Sequence, residues 1–162
     1  MCYDLKNIGG RLNPKEIIKQ YLADQHVMQL ATARDNQPWC ASVYYISDDR
    51  GNLYWASIPS RRHSLEISDN ARVAAAIVVK PDVDQKVAGI QIEGTAHLVT
   101  SKEEIKPIAT RYAKRFNRSE KWIEDFSVKT TEHRLYMLVP EKYVLFDEYS
   151  FPHNEIHEFS SI

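Results

Sequence analysis

Residues 54–79, YWASIPSRRHSLEISDNARVAAAIVV, read as a strand, a short helix and a second strand. Arg61, Arg62 and His63 stand together at the first junction, the densest positive cluster of a chain whose charges otherwise nearly balance. Ser60 sits where it can cap a helix beginning at Arg61. A helix start carries free N–H groups and a partial positive charge, and two guanidinium groups beside it add forked, charge-assisted donors. That combination suits a phosphate, with the strand from Tyr54 to Ile58 offering a flat edge to a planar mononucleotide. The plainer reading is a solvated pair of surface arginines. Spacing alone leaves both open.

Outward from this stretch the chain alternates between strands and tight turns. Asn13, Pro14 and Glu16 form a helix start, and Ile17, Ile18, Tyr21 and Leu22 fall on one helical face through about Asp24. HVMQLATA and WCASVYYIS then read as strands around the turn RDNQP, and DDRGN leads into LYWASI, which implies antiparallel hairpins. RVAAAIVV is apolar almost throughout, as a strand covered on both faces would be, and KPDVDQK breaks it. VAGIQIEGTAHLV alternates, with Ile90, Ile92, Ala96 and Leu98 on one face and Gln91, Glu93, Thr95 and His97 on the other. Gly94 within it predicts a bulge or a close backbone approach, a device that lets a sheet curl. Ser101 and Glu104 open a second long helix whose stripe is Ile105, Ile108, Ala109, Tyr112 and Phe116, and Trp122, Ile123 and Phe126 continue the packing. HRLYMLVP and KYVLFDE read as two final strands, followed by a polar tail without clear period. The sum is an α+β domain spanning residues 1–162: an antiparallel barrel of six or seven strands with peripheral helices.

Bulk properties exclude more than they identify. The 162 residues are 43% hydrophobic and 27% charged, which is ordinary for a soluble globular domain. No apolar run approaches the roughly 20 residues that span a bilayer, and the start MCYDLKNIGGRLNPKE lacks a signal's basic and apolar parts. Only Cys2 and Cys40 occur, which reads as free thiols in the cytoplasm. A formal net charge of -1 offers no general attraction to nucleic acid or membrane, so an anion needs a local site.

The order of these features resembles the pyridoxamine 5′-phosphate oxidase-like split barrels, which bind FMN. The resemblance is carried by the triplet Ser60-Arg61-Arg62, the turn Asn70-Ala71, the opening hairpin HVMQLATARDNQPWCASVYYISDD and the strand GIQIEGTAHLV. WCAS, RRH, GIQIEG and the late FDEYSF are most similar to a small, poorly characterised bacterial branch. It covers residues 13–99 well and the remainder loosely. The resemblance implies a homodimer with FMN in a groove between subunits, its phosphate held by Arg61 and Arg62 with help from Ser60. Trp55 and Ala56 would contact the flavin through their strand, and Val43 and Tyr44 would lie against the ring. Where the oxidases carry an arginine and a lysine on the second strand, this chain has Ala41 and Ile46. Their glutamine before the bulge falls at Gly89, with Gln91 as a substitute, and their C-terminal arginine-and-histidine motif is missing. Pyridoxamine phosphate is therefore not the expected substrate.

The remaining candidates have bland readings. The six histidines form no spaced metal motif, and His153 and His157 belong to a loose tail next to Pro152, so no metal site is expected. His63 reads as a polar helix residue or as a proton donor beside a flavin, and Cys40 as a buried small hydrophobe. Phe151 and His153 anchor the tail or reach a partner's groove. The expectation is a flavin-dependent oxidoreductase acting on a small molecule. The alternatives are a non-catalytic carrier of flavin, haem or a deazaflavin, and a barrel without cofactor.

Overall fold

The computed structural model describes residues 13–79, 86–128, 130–151 and 155–162. Cys2, Pro152, His153 and residues 80–85 of the KPDVDQK break lie outside them. The first helix, α1 (Pro14–Asp24), starts as the sequence predicts: Asn13 accepts a hydrogen bond from the Lys15 N–H at 3.1 Å, with proline in the first turn. Strands β1 (Val27–Arg34) and β2 (Gln37–Tyr44) form a two-residue hairpin. Asp35 and Asn36 turn it with φ of 51° and 60°, the left-handed pair that matches strand twist. After them come β3 (Ile46–Ser47), β4 (Leu53–Ser57), α2 (Arg62–Asp69), β5 (Arg72–Val79) and β6 (Ala88–Leu98). The helices α3 (Lys102–Arg115) and α4 (Glu120–Ser127) precede β7 (Arg134–Asp147) and β8 (Ile156–Phe159).

All eight strands belong to one antiparallel sheet, ordered β2-β1-β5-β6-β7-β4-β3, with β8 added to β7. The two ends of that path, β2 and β3, are separated in the chain by Tyr45 alone. A sheet whose opposite edges are tied through one residue must curl until they meet, which makes an α+β half-barrel with a seam at Tyr45. The Tyr45 N–H donates to the His26 carbonyl at 3.0 Å and holds the seam to the start of β1.

Curling also uses a bulge. The β6–β7 register shifts between Glu93 and Gly94, so Gly94 faces Pro140 and Glu141 is left over. A Cβ on Gly94 would press into the Val139 carbonyl oxygen, so the residue is both bulge and close approach. The same bulge explains a difference from the sequence reading. The two expected final strands are one 14-residue strand, because Pro140, lacking an N–H, stands where the ladder is already interrupted.

Three further expectations are corrected. The tail supplies β8, held by pairing to β7 that no local pattern announces. Leu98 is exposed, unlike Ile90, Ile92 and Ala96 on its strand. β5 is covered on one face only: Val73, Ala75, Ile77 and Val79 are buried, while Arg72, Ala74 and Val78 are exposed.

Inside the curl, Leu30, Trp55, Ile77, Ile90, Leu138 and Leu145 are almost wholly buried, and Ile17, Ile18 and Leu22 of α1 close one end. Burying each such side chain contributes about 1.5–3 kcal/mol. A second apolar layer joins α3 and α4 to the back of the sheet through Ile46, Tyr54 and Leu135. The buried Asp147 carboxylate accepts from the Tyr21 hydroxyl at 2.8 Å and from the Tyr149 and Ser150 amides, fastening α1 to the end of β7. Among the described residues no helix is long and apolar enough to cross a membrane.

Candidate functional site

The strand-to-helix junction forms a cleft at the barrel rim. A cavity of about 420 Å³ is lined by Arg34, Gln37, Ser60, Arg62, Leu65 and Glu66, among others. The helix begins one residue later than the sequence suggests. Arg61, with extended backbone, is the N-cap, and no side chain caps α2, so Ser60 does not play that part. The Leu65 N–H returns to the Arg61 carbonyl, but the amides of Arg62, His63 and Ser64 have no acceptor among the described residues. Three N–H donors at a positive helix end therefore face outward. Arg61 is exposed, and its guanidinium has no hydrogen-bond or ion-pair partner among the described residues.

Arg62 is positioned quite differently. Its Nε donates to the Glu66 carboxylate at 2.7 Å, and its guanidinium lies over the Trp39 ring at 4.4 Å. Glu66 is buried and also accepts from the Thr32 hydroxyl at 2.5 Å. The Thr32 hydrogen bond, then the Arg62 pair, hold the Glu66 carboxyl below the usual carboxylate range against the opposing effect of burial. Arg62 is thus half neutralised but fixed in plane, with both terminal nitrogens of its fork uncommitted. Arg34 is drawn off by Asp69 at 3.2 Å and Asp35 at 3.6 Å.

Behind the helix start, His63 Nε2 and the Ser57 hydroxyl are hydrogen-bonded at 2.8 Å, and the Ser64 hydroxyl donates to Ser57 at 3.1 Å. Burial first, and Arg61 second, push the imidazole below its ordinary value, so it is neutral at neutral pH. His63 is therefore a neutral hydrogen-bonding group rather than a third cation of the cluster.

A second hollow lies on the outer face of the sheet. About 650 Å³ in volume, it is lined by Ala31, Ala74 and Ala76 together with Gln29, Cys40 and Gln91. Register explains the row: Gln29 stands opposite Ala76, and Ala76 opposite Gln91. Cys40 is exposed here, not buried as its strand position suggests, because the outward face is the one left uncovered.

The eight residues singled out by sequence separate into distinct places. Only Ser60, Arg61 and Arg62 come together. Gln91 is on the outer face, whereas Thr32 and Glu66, which hold Arg62, are on the inner side. Val43 points into the core, and Tyr44 is exposed with its ring edge-on to Phe116 at 5.4 Å. Trp55 is wholly buried, its indole stacked on Tyr136 at 5.6 Å between ring centroids. Ala56 is half-buried against the α3–α4 layer. Sequence reasoning missed Thr32, Trp39 and Glu66. The Arg62–Glu66 spacing of four was a legible helical ion-pair signal; Thr32 arrives through tertiary structure alone.

Residues 14–135 match the family described as Pyridoxamine 5'-phosphate oxidase. A UPF0306 protein of Klebsiella pneumoniae is 31% identical over 100 residues, covering 61% of this chain and 67% of that protein. Among solved structures, the conserved hypothetical protein Rv2991 from Mycobacterium tuberculosis superposes with a TM-score of 0.73 at 16% identity, covering 94% of this chain and 97% of that one. HutZ, the haem storage protein from Vibrio cholerae, gives 0.65 at 18% identity over 94% and 96%. A FAD-binding protein from Mesorhizobium loti gives 0.59 at 16% over 82% and 92%. These structural likenesses establish a shared split-barrel fold.

Proposed function

The chain belongs to the pyridoxamine 5′-phosphate oxidase family, and on that premise we propose that it is a homodimeric FMN-binding flavoprotein, a flavin-dependent oxidoreductase acting on a small molecule. The observation carrying this reading is the start of α2: three unpartnered amides, the free Arg61 guanidinium and the fixed fork of Arg62, gathered beside Ser60. These are donors of the kind a phosphate monoester needs. Glu66 cancels much of the Arg62 charge, so Arg61 and the amides supply most of the compensation for a dianion. The fit is sufficient, and the expected affinity moderate.

The outer hollow fits the second requirement. Alanines at Ala31, Ala74 and Ala76 leave the sheet low enough for a flat ring or another subunit to approach closely, with Gln29 and Gln91 as hydrogen-bonding groups beside them. Gln91 lines the outer hollow, whereas Arg62 stands at the rim, tied to Glu66 and through it to Thr32 on the inner side. A second copy on the outer face brings the hollow of one subunit to the rim of the other. Bound FMN would supply hydride and single-electron transfer, while the chain orients the phosphate, excludes water and holds the neutral His63 near the anion.

A second reading, haem carriage, draws on the named function of the Vibrio structure and on the exposed Cys40 thiol in the hollow, since thiolate is a haem ligand. Absorbance spectra of the purified protein, before and after adding FMN or haemin, separate the two. Flavin bound with quenched fluorescence, weakened about tenfold by Arg61→Ala, supports the first. A Soret band lost in Cys40→Ala, without flavin binding, replaces it with the second. Reduction of bound flavin by NADH or NADPH then tells an oxidoreductase from a carrier.

A further inference from the structure

The seam of the barrel holds a cavity that shares no lining residue with either hollow. It measures about 600 Å³ and lies between the end of α1, the β2–β3 junction and the last turns of α3. Three cations line it, Arg111, Lys114 and Arg115, beside the apolar side chains of Leu22 and Ile46. Tyr45 also lines it. That side chain is fully buried, yet its hydroxyl has no hydrogen-bond partner among the described residues. A buried hydroxyl without a partner has lost its water and received nothing in exchange.

The arginines are held in place rather than loose. Arg111 Nη2 donates to the Ser47 carbonyl at 2.5 Å. Arg115 Nη2 reaches the Ala23 and Asp24 carbonyls at 2.5 and 2.9 Å and His26 Nδ1 at 3.1 Å. Each thereby spends one terminal nitrogen on the backbone and keeps the other. Lys114 has no hydrogen-bond or ion-pair partner among the described residues. Among the described residues no carboxylate lines the cavity, and Asp24, whose carbonyl Arg115 caps, is the acid that acts on Tyr45 alongside Arg115. Three fixed or free cations, one orphaned hydroxyl and an apolar wall describe a recognition surface for an anion with a hydrophobic body.

The geometry points to a second ligand site at the barrel seam, which takes a small aromatic or aliphatic phosphate or carboxylate, its anion on Arg111, Lys114 and the Tyr45 hydroxyl and its body against Leu22 and Ile46. This site is independent of the α2 cleft and does not rest on FMN binding there.

Calorimetric titration of the full chain with phenyl phosphate, benzoate and inorganic phosphate tests it. The expected result is saturable binding of phenyl phosphate or benzoate, at least about fivefold tighter than inorganic phosphate because the body is buried. The doubly substituted Arg111→Gln/Lys114→Ala protein, which keeps the hydrogen bonds from Arg115 of α3 to the end of α1, should bind about tenfold or more weakly. Tyr45→Phe separates a ligand-binding role from a structural one: it should weaken binding about threefold or more while leaving the melting temperature of the free protein equal or higher. Undiminished affinity in the double variant, inorganic phosphate binding as tightly as its phenyl ester, or absence of saturable binding by either organic anion overturns the proposal.

Discussion

On the inner face of β1, β5 and β6 stand Leu30, Ala75, Ile77, Ile90 and Ile92, nearly all out of reach of water. On the outer face of the same strands stand Gln29, Ala31, Ala74, Ala76 and Gln91. One backbone therefore serves two purposes. Large branched side chains fill the barrel and stabilise it, whereas the outward alanines contribute little bulk to anything within the chain. An alanine row flanked by amides is the composition of a surface that is approached closely. Stability is written on one side and recognition on the other, with the α2 rim joining them.

The contrast can be broken most forcefully from within. Ile90→Ala should cost about 2–5 kcal/mol in urea unfolding, since a fully buried side chain leaves a cavity. A loss below about 1 kcal/mol would mean the inner face is not the chief source of stability.

Next is the rim. Glu66→Gln should cost about 1–3 kcal/mol, discounted because its partner Arg62 is half exposed to solvent. The same variant has a pH signature. Because the folded Glu66 carboxyl is held below its ordinary 4.5, its contribution is complete above that pH and vanishes as the pH falls through the lowered value. Wild type should lose stability faster than Glu66→Gln in acid, and parallel stability curves would sink the assignment. His63 acts in the same direction from a higher starting point. Its folded value lies below 6.5, so its share fades as the pH drops from there.

The outer face should respond least in stability and most in assembly. Ala76→Arg should convert the proposed dimer to monomer in sedimentation while circular dichroism shows the monomer still folded, any loss of stability being the part that depends on protein concentration. A dimer that tolerates this arginine places the interface elsewhere. Arg61→Ala, exposed and unpaired, should likewise leave folding untouched while weakening FMN; a large folding defect would show that Arg61 belongs to the scaffold.

Much of the scaffold was legible because local chemistry specified it. Asn13-Pro14 set the first helix, Asp35-Asn36 the hairpin, and Gly94 the bulge. The Ser60-Arg61-Arg62 junction was readable only as a basic cluster at a strand-to-helix boundary, since a solvated pair of arginines fits the same spacing. What escaped was set by distant neighbours. Trp55 and Tyr54 occupy opposite faces of a strand covered on both sides, so no alternation revealed which layer the indole enters. Cys40 and the outward side of β5 are exposed because no other described element packs over them. The Thr32–Glu66 contact joins residues 34 positions apart and has no sequence signature.

The long β7 has a temporal consequence. It is the neighbour of both β4 and β6, which precede it in the chain, so each keeps one edge bare until Arg134–Asp147 has been synthesised. On the ribosome, a nascent chain reaching only the end of α4 is an open ribbon with two sticky borders. Closure must therefore be a late, concerted event dominated by contacts far apart in sequence, which places this barrel among slow folders and makes its birth the moment it is most exposed to aggregation.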